Sequence, residues 1–149
     1  FNQSQLYAIL DKLEKSTLIE SRIAAGAAFP FRKVYSLTEK GEKLFQEWKL
    51  SPVEQPHMMR SAFLPKLYFL KNEPYEQFET IIREQKKVCE LSLEKFTERI
   101  KALPPEAVYQ QMVFDFRIKN IEGIIQWLSA CLETHRKNDQ ADSGIQRGD

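Results

Sequence analysis

The fold of this chain is decided by residues 4–21, SQLYAILDKLEKSTLIES, and residues 31–44, FRKVYSLTEKGEKL. In the first stretch, apolar residues recur every three or four positions, which predicts an amphipathic helix over about 3–16. These apolar residues are Leu6, Ile9, Leu10 and Leu13. The segments 18–23 and 32–37 are rich in β-forming residues and predict a hairpin. The chain is therefore expected to begin with a helix followed by a two-stranded hairpin.

A second helix is predicted directly after the hairpin. Thr38 precedes Glu39, and this pair supplies a capping side chain and an acidic residue in the first turn. The proline-containing segment 51–56, SPVEQP, ends this helix. We therefore interpret residues 1–50 as an N-terminal domain and residues 51–62 as a linker.

The C-terminal half of the chain is predicted to be helical. A short apolar helix at 63–70 is followed by a break at 72–74. A long helix then runs over about 75–103, because apolar residues recur there every seven positions. Pro104–Pro105 ends it, and Pro105 suits the first position of a last helix over about 105–136. The predicted fold class is mainly α with one β-hairpin.

The last predicted helix carries two apolar stripes. The first stripe comprises Tyr109, Val113, Phe116, Ile124 and Trp127. The second comprises Phe114, Ile118, Ile121, Ile125, Leu128 and Leu132. A helix that is apolar on two sides must be buried on two sides, so one stripe is expected to pack on the long helix. We predict that the second stripe contacts a second copy of the chain; the alternative is that residues 57–70 cover it.

This pairing makes residues 63–136 a helical dimerisation domain. Gly123 lies in the middle of the last helix, where it costs roughly 1 kcal/mol relative to Ala. A close approach of another backbone would account for that cost. Residues 137–149 are polar and are predicted to form a flexible tail.

Composition narrows the class of protein. Hydrophobic residues make up 42% of the chain and charged residues 29%, which is typical of a soluble globular protein. No apolar run approaches the ~20 residues that a membrane span needs. Cys89 and Cys131 form no C-x-x-C motif, and two free thiols without a signal peptide favour a reducing, cytoplasmic location. The formal net charge is +1, with a mild basic excess in residues 1–50.

The N-terminal end of the first helix is rich in side chains that can contact DNA. These are Asn2, Gln3, Ser4, Gln5 and Tyr7, with Lys12 further along. Asn and Gln can pair with adenine, whereas Ser, Tyr and Lys suit the phosphate backbone. The hairpin adds Arg22, Arg32 and Lys33, which could reach the backbone or the minor groove. The alternative is that these residues are ordinary solvated surface residues.

No pattern in the sequence indicates an enzyme or a cofactor. The chain has no glycine-rich phosphate loop and no evident nucleophile–base pair. Cys131 and His135 are spaced i, i+4 and could supply two zinc ligands, but a structural site needs more, so we predict no metal. His57 is expected to be a solvated residue of the linker.

Taken in order, these segments resemble a PadR-family winged helix-turn-helix regulator. Leu6–Tyr7, Leu10 and Leu13–Glu14 match the recognition helix. Leu18–Ile19 matches the first wing strand, and Arg32–Lys33, Tyr35 and Leu37 through Gly41 match the second strand and the following helix. Ser16–Thr17 departs from the family, which commonly has a glycine before the Leu-Ile pair, so we expect another turn geometry there. The helices from 63 to 136 resemble the family's virulence-activator-like dimerisation region.

The resemblance implies a dimeric, sequence-specific DNA-binding transcriptional regulator. It would act as a repressor that binds double-stranded operator DNA. The resemblance also implies a small aromatic effector, for which Phe114, Phe116 and Trp127 could line a pocket; the alternative, which we favour, is that these three residues serve only in core and interface packing. The family's first two helices have no counterpart before Phe1 in this sequence. DNA binding by these 149 residues alone is therefore expected to be weak or absent. The alternative function is a helical dimerisation module that does not bind DNA.

Overall fold

The computed structural model describes residues 2–24, 33–71 and 73–145. Contacts divide the chain into an N-terminal unit, Phe1–Lys49, and a helical unit, Leu50–Asp149. The prediction of a mainly α fold with one β-hairpin is confirmed.

The N-terminal unit is built from a helix, a hairpin and a second helix. Helix α1 spans Gln3–Lys15, strands β1 and β2 span Ile19–Ile23 and Lys33–Leu37, and helix α2 spans Glu39–Leu50. The strands pair antiparallel, with Ile19 opposite Leu37 and Ile23 opposite Lys33. Among the described residues of the two strands, Ile19 alone is buried.

Helix α1 ends in a tight turn that sets the direction of β1. The Leu18 amide donates to the Leu13 carbonyl at 3.0 Å and the Thr17 amide donates to the Glu14 carbonyl at 2.9 Å, which is a Schellman motif. Thr17 has φ 57°, the left-handed conformation that glycine adopts without strain. The expectation of a different turn geometry at this position is therefore wrong. Thr17 adopts the conformation that a glycine would have here.

The start of α2 is fixed against this turn. Thr38 caps α2, as predicted, because its hydroxyl accepts a hydrogen bond from the Gly41 amide at 3.0 Å. The same hydroxyl donates to the Thr17 carbonyl at 2.7 Å. A Cβ atom on Gly41 would lie 1.9 Å from the carbonyl oxygen of Leu18, so only glycine allows this approach.

In its described residues, the helical unit contains three α-helices, which are preceded by an entry segment over residues 56–63. Residues Pro56–Met58 form a 3₁₀ turn and Met59–Phe63 a π turn. Helices α3, α4 and α5 span Leu64–Leu70, Tyr75–Lys101 and Val108–Ile145. Helix α5 therefore starts later than predicted, because Pro105 lies in a turn before it. It also continues past residue 136, so the predicted flexible tail is helical as far as Ile145.

The core of the helical unit joins the entry segment, α3, α4 and α5. Its fully buried side chains include Phe63, Leu70, Ile82, Cys89 and Leu128. The 27 residues of α4 and the first part of α5 pack along each other.

This core corrects the expectation for the second stripe of α5. Ile121 and Leu128 are buried in the core of their own chain, so they cannot contact a second copy. Ile125 and Leu132 pack against the same core, and Phe114 lies 5.9 Å from Phe96 between ring centroids. Ile118 is half-buried. The alternative, in which residues 57–70 help to cover this stripe, fits the structure because Met59, Phe63 and Leu70 belong to the cluster.

Candidate nucleic-acid interface

The first turn of α1 is held by two of the side chains predicted to read DNA. The Gln5 amide donates to the Asn2 carboxamide oxygen at 2.8 Å, and the Asn2 amide donates to the Gln5 side chain at 3.1 Å. This capping box satisfies two amides that the helix leaves unpaired. Asn2 and Gln5 thus position the end of α1 rather than extend from it. Their spacing of three residues was the signal that could have predicted this role.

The other predicted contacts at this end of α1 are free to reach a ligand. Gln3, Ser4 and Tyr7 are exposed, and Lys12 is exposed on the next turns. The neighbouring Lys15 is paired with Asp11 at 2.7 Å, and this hydrogen bond raises the pKa of Lys15. Because that pair is solvated, it contributes little to stability. Gln3, Ser4 and Tyr7 therefore form the exposed polar end of the helix.

The hairpin places its basic residues on opposite faces. Arg22 is opposite Val34, and Lys33 is opposite Ile23, so the two cations belong to adjacent pairs. Side chains of adjacent positions on a strand point to opposite sides, which separates Arg22 from Lys33. Both are exposed. The third predicted cation, Arg32, lies outside the described residues.

A hydrogen bond ties the hairpin to α1. The Ser21 hydroxyl donates to the carboxylate of Glu14 at 2.5 Å. Lys40, at the start of α2, donates to the Ser16 carbonyl at 2.9 Å. These contacts hold α1, the hairpin and α2 as one body, so the exposed end of α1 keeps a fixed relation to β1.

A cleft of about 1350 Å³ lies in the helical unit. Its floor carries the aromatic side chains Phe96, Phe116 and Trp127, and the entry segment forms one wall. Among the described residues that line it, the cations are Arg60, Lys95, Arg99, Arg117 and Lys119, and the one carboxylate is that of Glu54. Of the three aromatic residues predicted to line a pocket, Phe116 and Trp127 do so. Phe114 does not line this cleft.

The cleft has a positive character that sequence reasoning missed. Within the described part of the chain, Arg60, Lys95 and Arg99 form no ion pair. Arg117 lies over the ring of Phe96 at 5.3 Å, which is a cation–π contact. These residues are far apart in sequence, and only the packing of the entry segment on α4 and α5 brings them together.

Cys131 and His135 are the pair whose spacing could supply two zinc ligands. Among the described residues, no group of three or more potential metal-ligating side chains occurs. The ring of His135 stacks on Phe78 with centroids 4.1 Å apart. Burial raises the pKa of both the Cys89 and Cys131 thiols, which makes them poor nucleophiles. His57 lies in the 3₁₀ turn and lines the cleft. In the described ranges, no helix has the length and apolarity required to cross a bilayer.

The solved structures to which this chain is similar include the following four. Bacillus subtilis PadR in complex with operator DNA is 19% identical, with a TM-score of 0.44, over 90% of this chain and 79% of that one. The same PadR in complex with p-coumaric acid is 19% identical, with a TM-score of 0.44, over 90% of this chain and 78% of that one. The smu.1604c protein of Streptococcus mutans is 22% identical, with a TM-score of 0.44, over 89% of this chain and 79% of that one. The PadR-like transcriptional regulator BC1756 of Bacillus cereus is 24% identical, with a TM-score of 0.30, over 91% of this chain and 72% of that one.

Family models match both units of the chain. The model of the transcriptional regulator PadR-like family matches residues 1–47. The model of the virulence activator alpha C-terminal region matches residues 59–136, more than half of the chain. A comparison with curated proteins gave no match. This chain belongs to the PadR-like family of transcriptional regulators and carries the family's virulence-activator C-terminal region.

Proposed function

We propose that this chain acts as a homodimeric, sequence-specific DNA-binding repressor whose affinity for its operator is tuned by a small aromatic effector. The observation that carries the proposal is the exposed polar end of α1, in a unit that matches a family of transcriptional regulators. The matched family is one of transcriptional regulators and not a class of enzymes.

In this proposal α1 is the recognition helix and its N-terminal end enters the major groove. Gln3 would pair with an adenine edge, while Ser4 and Tyr7 would contact phosphates. Asn2 and Gln5 hold the helix end and could reach bases only by giving up the capping box. Lys12 and one cation of the hairpin, Arg22 or Lys33, would add backbone contacts. The prediction for Arg32 remains a prediction.

The dimer is proposed to form through an exposed stripe of α5, which comprises Tyr109, Phe116 and Trp127 of the first stripe together with Met112. Tyr109, Met112 and Phe116 are 75%, 66% and 68% exposed, and Trp127 is 38% exposed. With about 200 Å² for each large side chain, these four expose roughly 500 Å². That area is at the upper end of what a monomer leaves uncovered and is over half of one partner's share of a standard interface. Gly123 lies on the same side of α5, and an added Cβ there would meet nothing within 4 Å in its own chain.

The effector is proposed to bind in the cleft of the helical unit. Its aromatic floor suits a flat apolar molecule, and Arg60, Lys95 and Arg99, which form no ion pair among the described residues, favour one that carries negative charge. Phe116 and Trp127 belong both to the cleft and to the exposed stripe. A second copy that covers the stripe would close one side of the cleft, so occupancy and dimer geometry would be linked.

A salt series tests DNA binding directly. The complete gene product is titrated against a palindromic fragment from upstream of its gene and against random DNA. The salt concentration is varied between about 50 and 200 mM, a range over which binding through phosphate contacts weakens strongly. We expect affinity to fall steeply with salt, and Lys33→Ala to lower the slope of log K against log salt by about 1 if Lys33 touches a phosphate. Gln3→Ala should relax the preference for the palindrome. Equal affinity for random DNA, or affinity that is flat with salt, would contradict the proposal.

A second candidate is a helical dimerisation module that does not bind DNA. The observation in its favour is that the apolar face of α1 is open among the described residues, with Leu6 50% and Ile9 43% exposed. A recognition helix needs this face covered to keep its position. Sedimentation equilibrium together with the salt series separates the two functions, because the module would be a dimer without preference for the palindrome.

A further inference from the structure

A fully buried glutamine fixes the main chain of the residue that precedes one wall of the cleft. Gln85 lies on α4 with no exposed surface. Its side-chain oxygen accepts a hydrogen bond from the Val53 amide at 2.6 Å, and its side-chain nitrogen donates to the Val53 carbonyl at 3.0 Å. Gln85 thus satisfies both backbone groups of Val53, whose side chain is buried in the core. Without the Gln85 side chain these two groups would lose their partners, which is costly for buried groups.

A second buried polar side chain holds the same segment from α3. The Lys66 ammonium donates to the Ser51 carbonyl at 2.6 Å and to the Ser51 hydroxyl at 3.2 Å. Ser51 lies before this wall of the cleft in sequence and Lys66 lies after it, so their contact closes residues 51–66 into a loop. The contacts of Lys66 and Gln85 with this segment all lie within the helical unit, Leu50–Asp149.

This loop supplies one wall of the cleft. We call residues 54–58 the arch, and the first four of them line the cleft. The arch begins directly after Val53 and ends before Met59, which is buried in the core. Within it, the Met58 amide donates to the Gln55 carbonyl at 2.9 Å, in the 3₁₀ turn. The main chain is therefore held by hydrogen bonds where the arch begins and by core packing where it ends.

We propose that Gln85 is a positioning residue for the effector cleft, because it holds the main chain of Val53 and thereby keeps the arch in place as a preformed wall. This inference rests on the effector site of the proposed function. Gln85 is not among the described residues that line the cleft, so it acts through Val53 and needs no contact with the effector. A preformed wall avoids the ordering cost that a mobile wall adds on binding, so it raises the affinity for the effector. Lys66 supports the arch in the same way through Ser51.

The first experiment examines the arch without a ligand. Gln85→Met keeps the length of the side chain but removes both hydrogen bonds to Val53. Amide exchange of Val53 and Met58 is measured on the full chain, with far-UV circular dichroism to verify folding. We expect exchange at both amides to accelerate about tenfold in Gln85→Met, because the arch opens locally once its first anchor is lost. Unchanged exchange at Met58 in this variant would overturn the proposal, since the arch would then not depend on Gln85.

Two controls separate positioning from a general loss of stability. Gln77→Met makes the same replacement at an exposed glutamine of α4. Phe78→Leu weakens the core near the start of α4, where Phe78 stacks on His135. Neither control should accelerate exchange at Met58 by more than about twofold, because neither removes a contact of the arch. Equal acceleration in Phe78→Leu would overturn the proposal.

The second experiment measures affinity for naphthoate, a flat aromatic carboxylate, by calorimetry. Wild type and both controls should bind it equally, and Gln85→Met should bind it about tenfold more weakly with the same stoichiometry. Lys66→Met acts from α3 and should give the same result if Gln85→Met fails to fold. Full affinity in a folded Gln85→Met with fast exchange at Met58 would overturn the proposal.

A cleft variant distinguishes this failure from that of the proposed function. Arg99→Ala removes one cation that lines the cleft and should weaken binding of naphthoate to an otherwise wild-type chain. Wild type that does not bind naphthoate, or binding that is indifferent to Arg99→Ala, would overturn the effector site of the proposed function. Exchange at Met58 would still decide whether Gln85 positions the arch.

Discussion

Thr17 carries local strain at the junction of α1 and β1. A β-branched residue at φ 57° is an outlier, because its Cβ crowds the backbone in the left-handed region. The sequence shows that a threonine stands where the family commonly has a glycine. It does not show that the turn stays the same, because that depends on the contacts of Thr38 and Lys40 with residues 16 and 17.

Replacing this threonine should stabilise the protein. We expect Thr17→Gly to raise the free energy of unfolding by about 1 kcal/mol, since relief of left-handed strain exceeds the entropy that glycine loses on folding. For a chain of this size that corresponds to roughly 2–4 °C in Tm. Thermal denaturation followed by circular dichroism measures the shift. Ser16→Gly is the neighbouring control, because Ser16 has a negative φ of −81° and should not gain. A lower Tm for Thr17→Gly would contradict the strain.

Buried polar residues are the other feature of single positions that the sequence conceals. Gln85 lies between charged and polar neighbours on a helix that looks solvated, and Lys66 lies in a short apolar helix. Their burial depends on where residues 51–53 cross α3 and α4. The capping pair Asn2 and Gln5, in contrast, is local and could be predicted from its spacing.

Helix α2 approaches the α1–β1 turn closely through Gly41. The start of α2 could be predicted because Thr38 and Glu39 are local signals. The approach itself could not, because glycine at the third position of a helix has no evident purpose until Leu18 is placed beside it.

A methyl group at Gly41 should disrupt this packing. We expect Gly41→Ala to lower the free energy of unfolding by about 2–3 kcal/mol, because the new Cβ meets a backbone oxygen that cannot turn away. Lys43→Ala, at an exposed position of the same helix, should change it by less than about 0.5 kcal/mol. Urea denaturation at constant slope measures both. Equal stability of the two variants would show that the turn can shift to admit the methyl group.

The two stripes of α5 illustrate what helical periodicity leaves open. Both stripes are apolar, so the sequence predicts two buried sides and does not say which one faces α4. The rotation of α5 places Ile121 and Leu128 in the same buried cluster as Phe63, Ile82 and Cys89. The second stripe therefore faces the core, whereas the aromatic residues of the first stripe, Tyr109, Phe116 and Trp127, are exposed.

At the scale of the whole molecule, the exposed stripe should determine the oligomeric state. We expect Phe116→Glu to weaken the dimer at least about 100-fold, because the aromatic contact of Phe116 is lost and a carboxylate must be desolvated in the interface, whereas the change costs little in a monomer, where Phe116 is exposed. Gln126→Glu introduces the same charge at another exposed position of α5 and should leave the dimer intact. Analytical ultracentrifugation at micromolar concentration measures both. A dimer that persists in Phe116→Glu, or a wild type that is a monomer, would exclude this interface.

The order of elements could be predicted along the whole chain, because helices, hairpin and prolines leave local signals. The cleft could not, since Arg60, Lys95 and Arg99 come from separate segments that only tertiary packing assembles. The end of α5 was also missed. Its polar residues after 136 lack an apolar period, and the helix continues to Ile145 nonetheless.

The pairing of Gln85 with the main chain of Val53 also affects which sequence changes the chain can accept. Since the amide contacts N–H and C=O groups, position 53 can exchange among apolar residues without loss of either hydrogen bond. Proline is the exception, because it has no N–H to donate. Position 85 has no such freedom, since another side chain would have to match both groups at once. Over evolutionary time, residue 53 is therefore expected to drift while residue 85 stays constant, although neither would touch the operator.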